Sequence, residues 1–571
     1  MMGLKRKKRL GYAFFLSFFP NIPAFHSSII PVFSTIPVFL STKEGKMKKH
    51  RFLGLILIFF AAGLLIPQIG LAQKPLIIGF EGDAATLDPH ARSETTTTTV
   101  QRHVYENLIG FDANLKIVPE LAESWKLVDD NTWEFKLRKG VKFQNGEPMN
   151  ATSVKFSVER CATHPKSQYK HMVPPYKEIQ IVDENTVRLI TKSPTPEALI
   201  MLENVSIMPP KWTQEWDKKD YSYLTRNMIG TGPYKFVEWV KDDRVTLVAN
   251  KGWWGPKLDF EKVTLRPIPE NATRVAALIS GEIDACWGVS IPDIPRVEKN
   301  KNTYVSRVAS QRTIYVMFDI HSDKGGPAPN AQPGIAAGKP NPFKDFRVRK
   351  AIAYAINADD IIKYVMEGSA YPASQLACPY AVGYNKNIQR PKYDPDLAKK
   401  LLAEAGYPNG FECNFDTPND RYVNDQQVAE AIAAQLAKVG VRLKVIATPK
   451  AVFFPKMDRY ESPFFLAGWG TISWQGTFNA FFREKKAQGG HINRGRFKDL
   501  ELEKKMDIAN SIMDDAKRDK LRNEIAEKIY ATYYLIPLYY QENVFGFTRR
   551  IKDGKSRVDE RLFAHELKSA N

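Results

Sequence analysis

Cysteine is scarce, with only Cys161, Cys286, Cys378 and Cys413 in 571 residues and no Cys-x-x-Cys spacing. That excludes the zinc sites and dithiol redox motifs built on such pairs. Histidine is scarce too. His90, His103, His164, His171, His321 and His491 are scattered without the spacing of a metal site. The chain has no Gly-x-Ser-x-Gly elbow, no His-Glu-x-x-His and no phosphate loop ending in Lys-Ser/Thr. It therefore lacks the local signatures of the common hydrolases and nucleotide enzymes. Acidic residues are outnumbered, 63 against 82 Lys and Arg. The excess is concentrated at the front: residues 1–72 hold ten Lys or Arg and Glu44 as their one acid, and the rest carries about +10. No basic block with interleaved aromatics occurs, which argues against a nucleic-acid partner.

The hydrophobic fraction of 43% and the charged fraction of 25% fit a soluble globular protein. The length predicts about three domains at roughly 100 to 200 residues each. "MKKHRFLGLILIFFAAGLLIPQIGLAQ" opens at Met47 with a basic segment, continues with an apolar run from Phe52 to Ile66, and ends in Gly70-Leu71-Ala72. This is the pattern of a secretory signal peptide at 47–72, cleaved after Ala72. Pro67, Gln68 and Gly70 end the run before the roughly 20 residues a membrane anchor needs. Residues 1–46 then read as an over-extended N-terminus. Export permits disulfides. Cys378 and Cys413 share one expected domain and form the candidate pair, while Cys161 and Cys286 read as core thiols; the sequence leaves the pairing open.

From 76 to about 250 the grammar is strand and hairpin. Trp133, Phe135 and Leu137 alternate after an Asp-Asp-Asn turn, and Ile179, Ile181, Val187 and Leu189 repeat the device around Asp183 to Asn185. "GTGPYKFVEW" reads as a turn and strand. After about 340, Val348, Ala351, Ile352, Ala355 and Ile356 trace a helical face. Asp394 and Pro395 open a helix that Gly406 closes. "FECNFDT", "NDQQVAEAIAAQLAKVG" and "VRLKVIA" predict strand, helix and strand, an α/β unit with a parallel crossover.

In this order, "TLDPHARSETTTTTVQRHVYENLIGFDANLKIVPELAESW", "FKLRKGVKFQNGEPMNATSVKFSVER", "GTGPYKFVEWV", "NKGWWG", "ISGEIDA" and "FRVRKAIAYAINADDII" resemble the extracytoplasmic solute-binding proteins of peptide/nickel-type ABC importers. The resemblance covers nearly all of the chain from about 76. It implies an α/β, two-lobed periplasmic-binding-protein fold with an extra domain inserted in the first lobe. The implied boundaries are 73–107, 256–340 and 536–571 for lobe I, 108–255 for the inserted domain and 341–535 for lobe II. It also implies a periplasmic monomer that is no enzyme, needs no cofactor or metal, and captures a peptide-like or other medium-sized organic solute for a permease and its ATPase. A neutral oligosaccharide or organic anion is the alternative cargo, and a periplasmic enzyme or chaperone the minor one. Nickel is the weakest, because no His cluster supports it.

In peptide-binding relatives a segment beginning Gly-Trp lines the cleft, and an Asp three residues after the Trp holds the peptide's ammonium. Here Gly468 and Trp469 match that segment and Gly470 joins them as a candidate ligand-binding residue, but Ile472 stands in place of the acid. Leaving a buried ammonium unpaired costs roughly 3 to 5 kcal/mol, so an ordinary free-amine peptide is disfavoured unless another acid, such as Asp458 or Glu461, reaches in. Trp469 and Trp474 are expected to offer flat faces. On the other wall, Arg92, Ser93, Thr95 and Thr96 are the candidates for gripping an anion, with Ser93 as the cap of a helix. The plainer alternative pairs Arg92 with Glu94 in solvent. Trp253 and Trp254 read as interdomain packing.

Overall fold

The alternating strands at 122–137 and 176–191 do form hairpins, and they join into one sheet. The computed structural model describes residues 74–326, 331–486 and 489–570, so the expected signal peptide and the start at Met47 lie outside the described residues. Strand Thr132–Leu137 pairs with Ala122–Asp129 on one side and Thr186–Thr191 on the other, and Tyr176–Asp183 closes the order. Phe135, Leu137, Ile179, Val187 and Leu189 are buried in a separate core that also takes Val154 and Val158 from helix Ala151–Thr163. Ile181, on an edge strand, stays exposed. This unit is the inserted domain.

The rest is built on one long mixed sheet. At one end Phe411–Pro418 and Val441–Thr448 lie parallel, joined through helix Asp425–Ala437, as the strand-helix-strand pattern predicts. Toward the other end Leu76–Phe80 lies parallel to Lys262–Pro267, and the hairpin of Tyr234–Val240 and Arg244–Ala249 closes the sheet, so residues 234–249 pack with lobe I and not with the inserted domain as the 108–255 boundary implies. Two strands connect the ends: Thr303–Phe318 and Leu535–Thr548 run antiparallel through both halves. Their register shifts between Ala309 and Thr313 and again between Ile314 and Tyr315. Such irregularities bend a sheet locally, and here they separate the cores of the two lobes.

Local signals acted as read. Asp394 caps helix Pro395–Glu404 by accepting from the Leu397 N–H, and Gly406 follows at φ +92°. The Gly-Thr-Gly-Pro turn is structural: a Cβ on Gly230 would lie 2.0 Å from the Val104 carbonyl oxygen, so only glycine admits the close approach. Trp253 and Trp254 donate their indole N–H groups to buried Glu106 at 2.9 and 3.1 Å, and Arg138 lies 3.8 Å over the Trp254 ring. They are packing residues.

The cysteine pairing is corrected. All four thiols are free and buried, with Cys413 in the main core of lobe II and Cys378 in a small cluster beside the strand crossing. Burial pushes the Cys378 thiol up and that of Cys161 up to about 12, which keeps them protonated and unreactive.

Candidate functional site

The cleft follows from the sheet. Strand Phe464–Gly470 pairs with residues 312–318 of the long strand, so Gly468, Trp469 and Gly470 leave lobe II at the crossing point. Gly468 is required there, because a Cβ would meet the Tyr422 ring at 2.7 Å and Ile314 at 2.8 Å. Tyr422 donates its hydroxyl to the Gly468 carbonyl at 3.0 Å. Trp469 is half-buried, with its ring edge-on to Phe481 at 5.4 Å and to His491 at 6.2 Å. Below it, Arg312 forms a two-pronged pair with Glu560 at 3.1 and 2.6 Å.

Beyond Gly470 the expectation fails at Trp474. Ile472 is partly buried. It packs against a cluster of Leu115, Ala377, Cys378, Ala381, Tyr540 and Val558, which joins the inserted domain and the C-terminal segment to lobe II. Trp474 offers no face to a solute. Ser473 caps the helix Trp474–Phe481 by accepting from the Gly476 N–H. That turn sends Trp474 inward, stacked on Phe478 at 3.9 Å with the Arg522 guanidinium 5.2 Å from its ring centre. Its exposure is 0%. Of the aromatic residues at 468–482, Trp474, Phe478, Phe481 and Phe482 are thus core, because a helix turned into a lobe buries the face its i, i+4 residues share.

Neither of the two acids considered for that role is free to take it. Asp458 pairs with Arg494 at 2.9 Å and Glu461 with Arg459 at 2.8 Å.

On the opposite wall, helix Thr95–Gln101 is capped at Glu94, not Ser93, and without a side-chain cap bond. Arg92 is half-exposed and faces Glu94 at 3.7 Å, the solvent pairing that contributes little. Its carbonyl accepts from the Tyr169 hydroxyl at 3.1 Å. The Ser93 N–H donates to Gln168, the Thr95 carbonyl accepts from the Thr98 and Thr99 hydroxyls, and Thr96 is buried. Arg92 and Ser93 thus tie the first segment to the inserted domain, and the Thr95 carbonyl bonds within its own helix.

The tertiary structure adds two features that no spacing rule flags. His171 of the inserted domain and His491 of lobe II face each other with ring centres 6.4 Å apart, and His491 also abuts Trp469. Both rings are exposed at the surface but partly desolvated, which lowers both imidazoles below their ordinary pKa; for His491 the nearby His171 and Arg494 add to it. Both rings are therefore neutral at pH 7, each with one donor and one acceptor nitrogen. The second feature is Glu197, which crosses from the inserted domain to Arg522 of lobe II at 2.9 Å.

Behind the first wall sits a buried charge network. Arg160 holds Asp88 at 2.9 and 3.1 Å and Asp217 at 2.8 Å, Tyr221 donates to Asp88 at 3.0 Å, and His90 donates to the Ser206 carbonyl at 3.0 Å. Among the described residues no group of three His, Cys, Asp or Glu is placed to hold a metal ion, and no helix is long and apolar enough to cross a membrane.

The sequence model described as bacterial extracellular solute-binding proteins, family 5 Middle, matches residues 116–488. The glutathione-binding protein GsiB of Escherichia coli (strain K12) is 27% identical over 514 residues, covering 87% of this chain and 95% of the relative. GsiB of Shigella dysenteriae serotype 1 is 30% identical over 390 residues, covering 67% and 71%. Among solved structures, the ABC transporter-associated periplasmic binding protein DppA from Helicobacter pylori, in complex with peptide STSA, superimposes with a TM-score of 0.71. It is 26% identical, with 87% of this chain and 98% of that chain covered.

Proposed function

The chain belongs to the bacterial extracellular solute-binding proteins, family 5, and from that premise we propose which part of it meets the solute. As a member it is the solute-capturing subunit of an ABC importer, working with a permease and an ATPase, and its relatives are binding proteins. Binding between two lobes shifts an open–closed equilibrium by contacting both, and the closed form is what a transporter recognises.

The solute is peptide-like and short, and it lies between Trp469 and His491 on lobe II and His171 on the inserted domain. The observation that carries this is the line of three rings, Trp469, His491 and His171, running from one lobe to the other. An indole and two neutral imidazoles supply apolar faces with hydrogen-bonding edges and no fixed charge, which suits amide groups. The glutathione-binding and peptide-bound relatives support the same class. A free amine finds no carboxylate at Ile472. Arg92 and Ser93 serve as an anchor of the inserted domain on lobe I, through Tyr169 and Gln168. The lobes exchange at 309–313 and 540–542, where the strand register shifts, in place of 340 and 535. The chain is exported to the periplasm, with its signal peptide removed after Ala72.

A thermal-shift screen against di- to pentapeptides, glutathione, N-acylated peptides and oligosaccharides tests this, because a solute that binds only the native form raises the melting temperature. Stabilisation by peptide-like solutes, lost in His491→Ala, is the expected result. Stabilisation by oligosaccharides alone overturns it.

A further inference from the structure

Strand Leu76–Phe80 is buried almost throughout, and its carboxyl end gives way at once to Glu81, an exposed carboxylate. The strand lies parallel to both its neighbours, Lys262–Pro267 and Ala285–Cys286, and residues just past the carboxyl ends of parallel strands are where such sheets meet ligands. The two acids of this turn have different fates. Asp83 is committed, because it accepts from the Trp239 indole at 3.0 Å and from the Asp242 N–H at 2.8 Å. Glu81 has no hydrogen bond or ion pair among the described residues. A Cβ on Gly82 beside it would meet nothing within 4 Å, so the turn borders open space.

The lobe II wall stands near the same point. Arg312, on the strand that runs through both lobes, is in register with Gly470. The charges acting on its guanidinium include those of Tyr422, whose hydroxyl holds the Gly468 carbonyl, and of Glu81. Glu81 and the Gly468–Gly470 segment therefore flank one cation. That cation is already matched by Glu560 in the two-pronged pair at 3.1 and 2.6 Å. With Arg312 and Glu560 balancing each other, the carboxylate of Glu81 is left without a counter-charge.

We propose that Glu81 is the acid that receives the solute's ammonium group, the role position 472 cannot fill; this rests on the peptide-like cargo proposed above. The amine enters on the lobe I side of the cleft, and the amides of the solute run toward Trp469 and the two histidines. A charge-assisted hydrogen bond is roughly twice as strong as a neutral one, and it is strengthened further when closure excludes water. Because Glu81 belongs to the first segment and Trp469 to lobe II, one solute touches both lobes, as solute-driven closure requires. A cationic amino group is thereby part of what the cleft selects, and N-blocked solutes are selected against.

Calorimetry on the purified protein tests this, with glutathione, trialanine and the N-acetyl form of each as probes, in the parent, in Glu81→Gln and in Glu81→Asp. The parent is expected to bind the free amines at least about tenfold more tightly than the acetylated forms. Glu81→Gln loses that preference while holding the acetylated forms as the parent does, and Glu81→Asp keeps part of it. Glu81 makes no bond that folding needs, so each variant melts without solute where the parent does. A parent that binds the free and acetylated forms equally overturns the proposal. So does a Glu81→Gln variant that still prefers the free amine, or one that weakens both forms alike; in each of these cases the peptide-like cargo stands. Binding of neither form by the parent overturns the cargo reading and this proposal with it.

Discussion

His103 donates its Nδ1–H to the Thr99 carbonyl at 2.8 Å and accepts the Ala564 N–H on Nε2 at 3.1 Å, which ties the first segment of lobe I to the C-terminal segment. Both nitrogens are committed with the ring neutral, and a proton on Nε2 would face another N–H. Burial accordingly lowers its pKa from 6.5 to about 4, and burial with the nearby Arg160 does the same for His90. A group depressed in the folded state stabilises fully above its unfolded pKa of 6.5, and that contribution is lost as pH falls toward 4. Each histidine represents about 3 kcal/mol across that window. The urea midpoint therefore drops between pH 7 and pH 5, and His103→Gln shows a shallower drop. Equal slopes for the two proteins would refute this account.

Arg160 balances Asp88 and Asp217 while nearly fully buried. Arg160→Met leaves two carboxylates without their cation and is expected to destabilise by about 3 to 5 kcal/mol. Equilibrium denaturation measures it; a loss below about 1 kcal/mol would mean the network is not structural.

Ile472→Asp restores the acid of peptide-binding relatives by sequence but places it against Leu115, Ala381 and Val558. Burying a carboxylate among apolar side chains costs at least about 2 kcal/mol. The variant is expected to melt lower and to gain no affinity for free-amine peptides by calorimetry. A tenfold gain would show that position 472 opens to solute.

His491→Ala and His171→Ala remove exposed rings from the cleft. Affinity for the solute identified by the screen is expected to fall about tenfold, or 1.4 kcal/mol. The melting temperature without solute should change by only about 2 °C, the scale of surface substitutions in large chains. A large drop in melting temperature with unchanged affinity would assign the pair to packing.

All four thiols are free. Titration of the unreduced protein with a thiol reagent should count about none under native conditions and the full set in guanidinium; two missing thiols after unfolding would reveal a disulfide.

Much of the fold was legible because its signals are local. Asp394, Pro395 and Gly406 bound a helix by capping chemistry, and residues 411–448 announce strand, helix and strand by periodicity. The two hairpins could be read singly, but not that Thr132–Leu137 pairs with Thr186–Thr191, since strand partnership is not encoded within either run. Gly468 and Trp469 were singled out through the Gly-Trp segment of peptide-binding relatives, which periodicity alone does not mark. Ser93 lost the cap to Glu94, one residue away, as helix boundaries commonly shift by that amount.

By itself the sequence determined the periodicity of each element, its caps and turns, and the missing acid at 472, all consequences of backbone geometry and side-chain chemistry within a few residues. Tertiary structure alone decided that Trp474 faces the core, that Ile472 seals a seam, and that His171 meets His491 and Glu197 meets Arg522. All are contacts between segments far apart in the chain, and their energies depend on burial and distance across the assembled fold, quantities that no local stretch of chain contains.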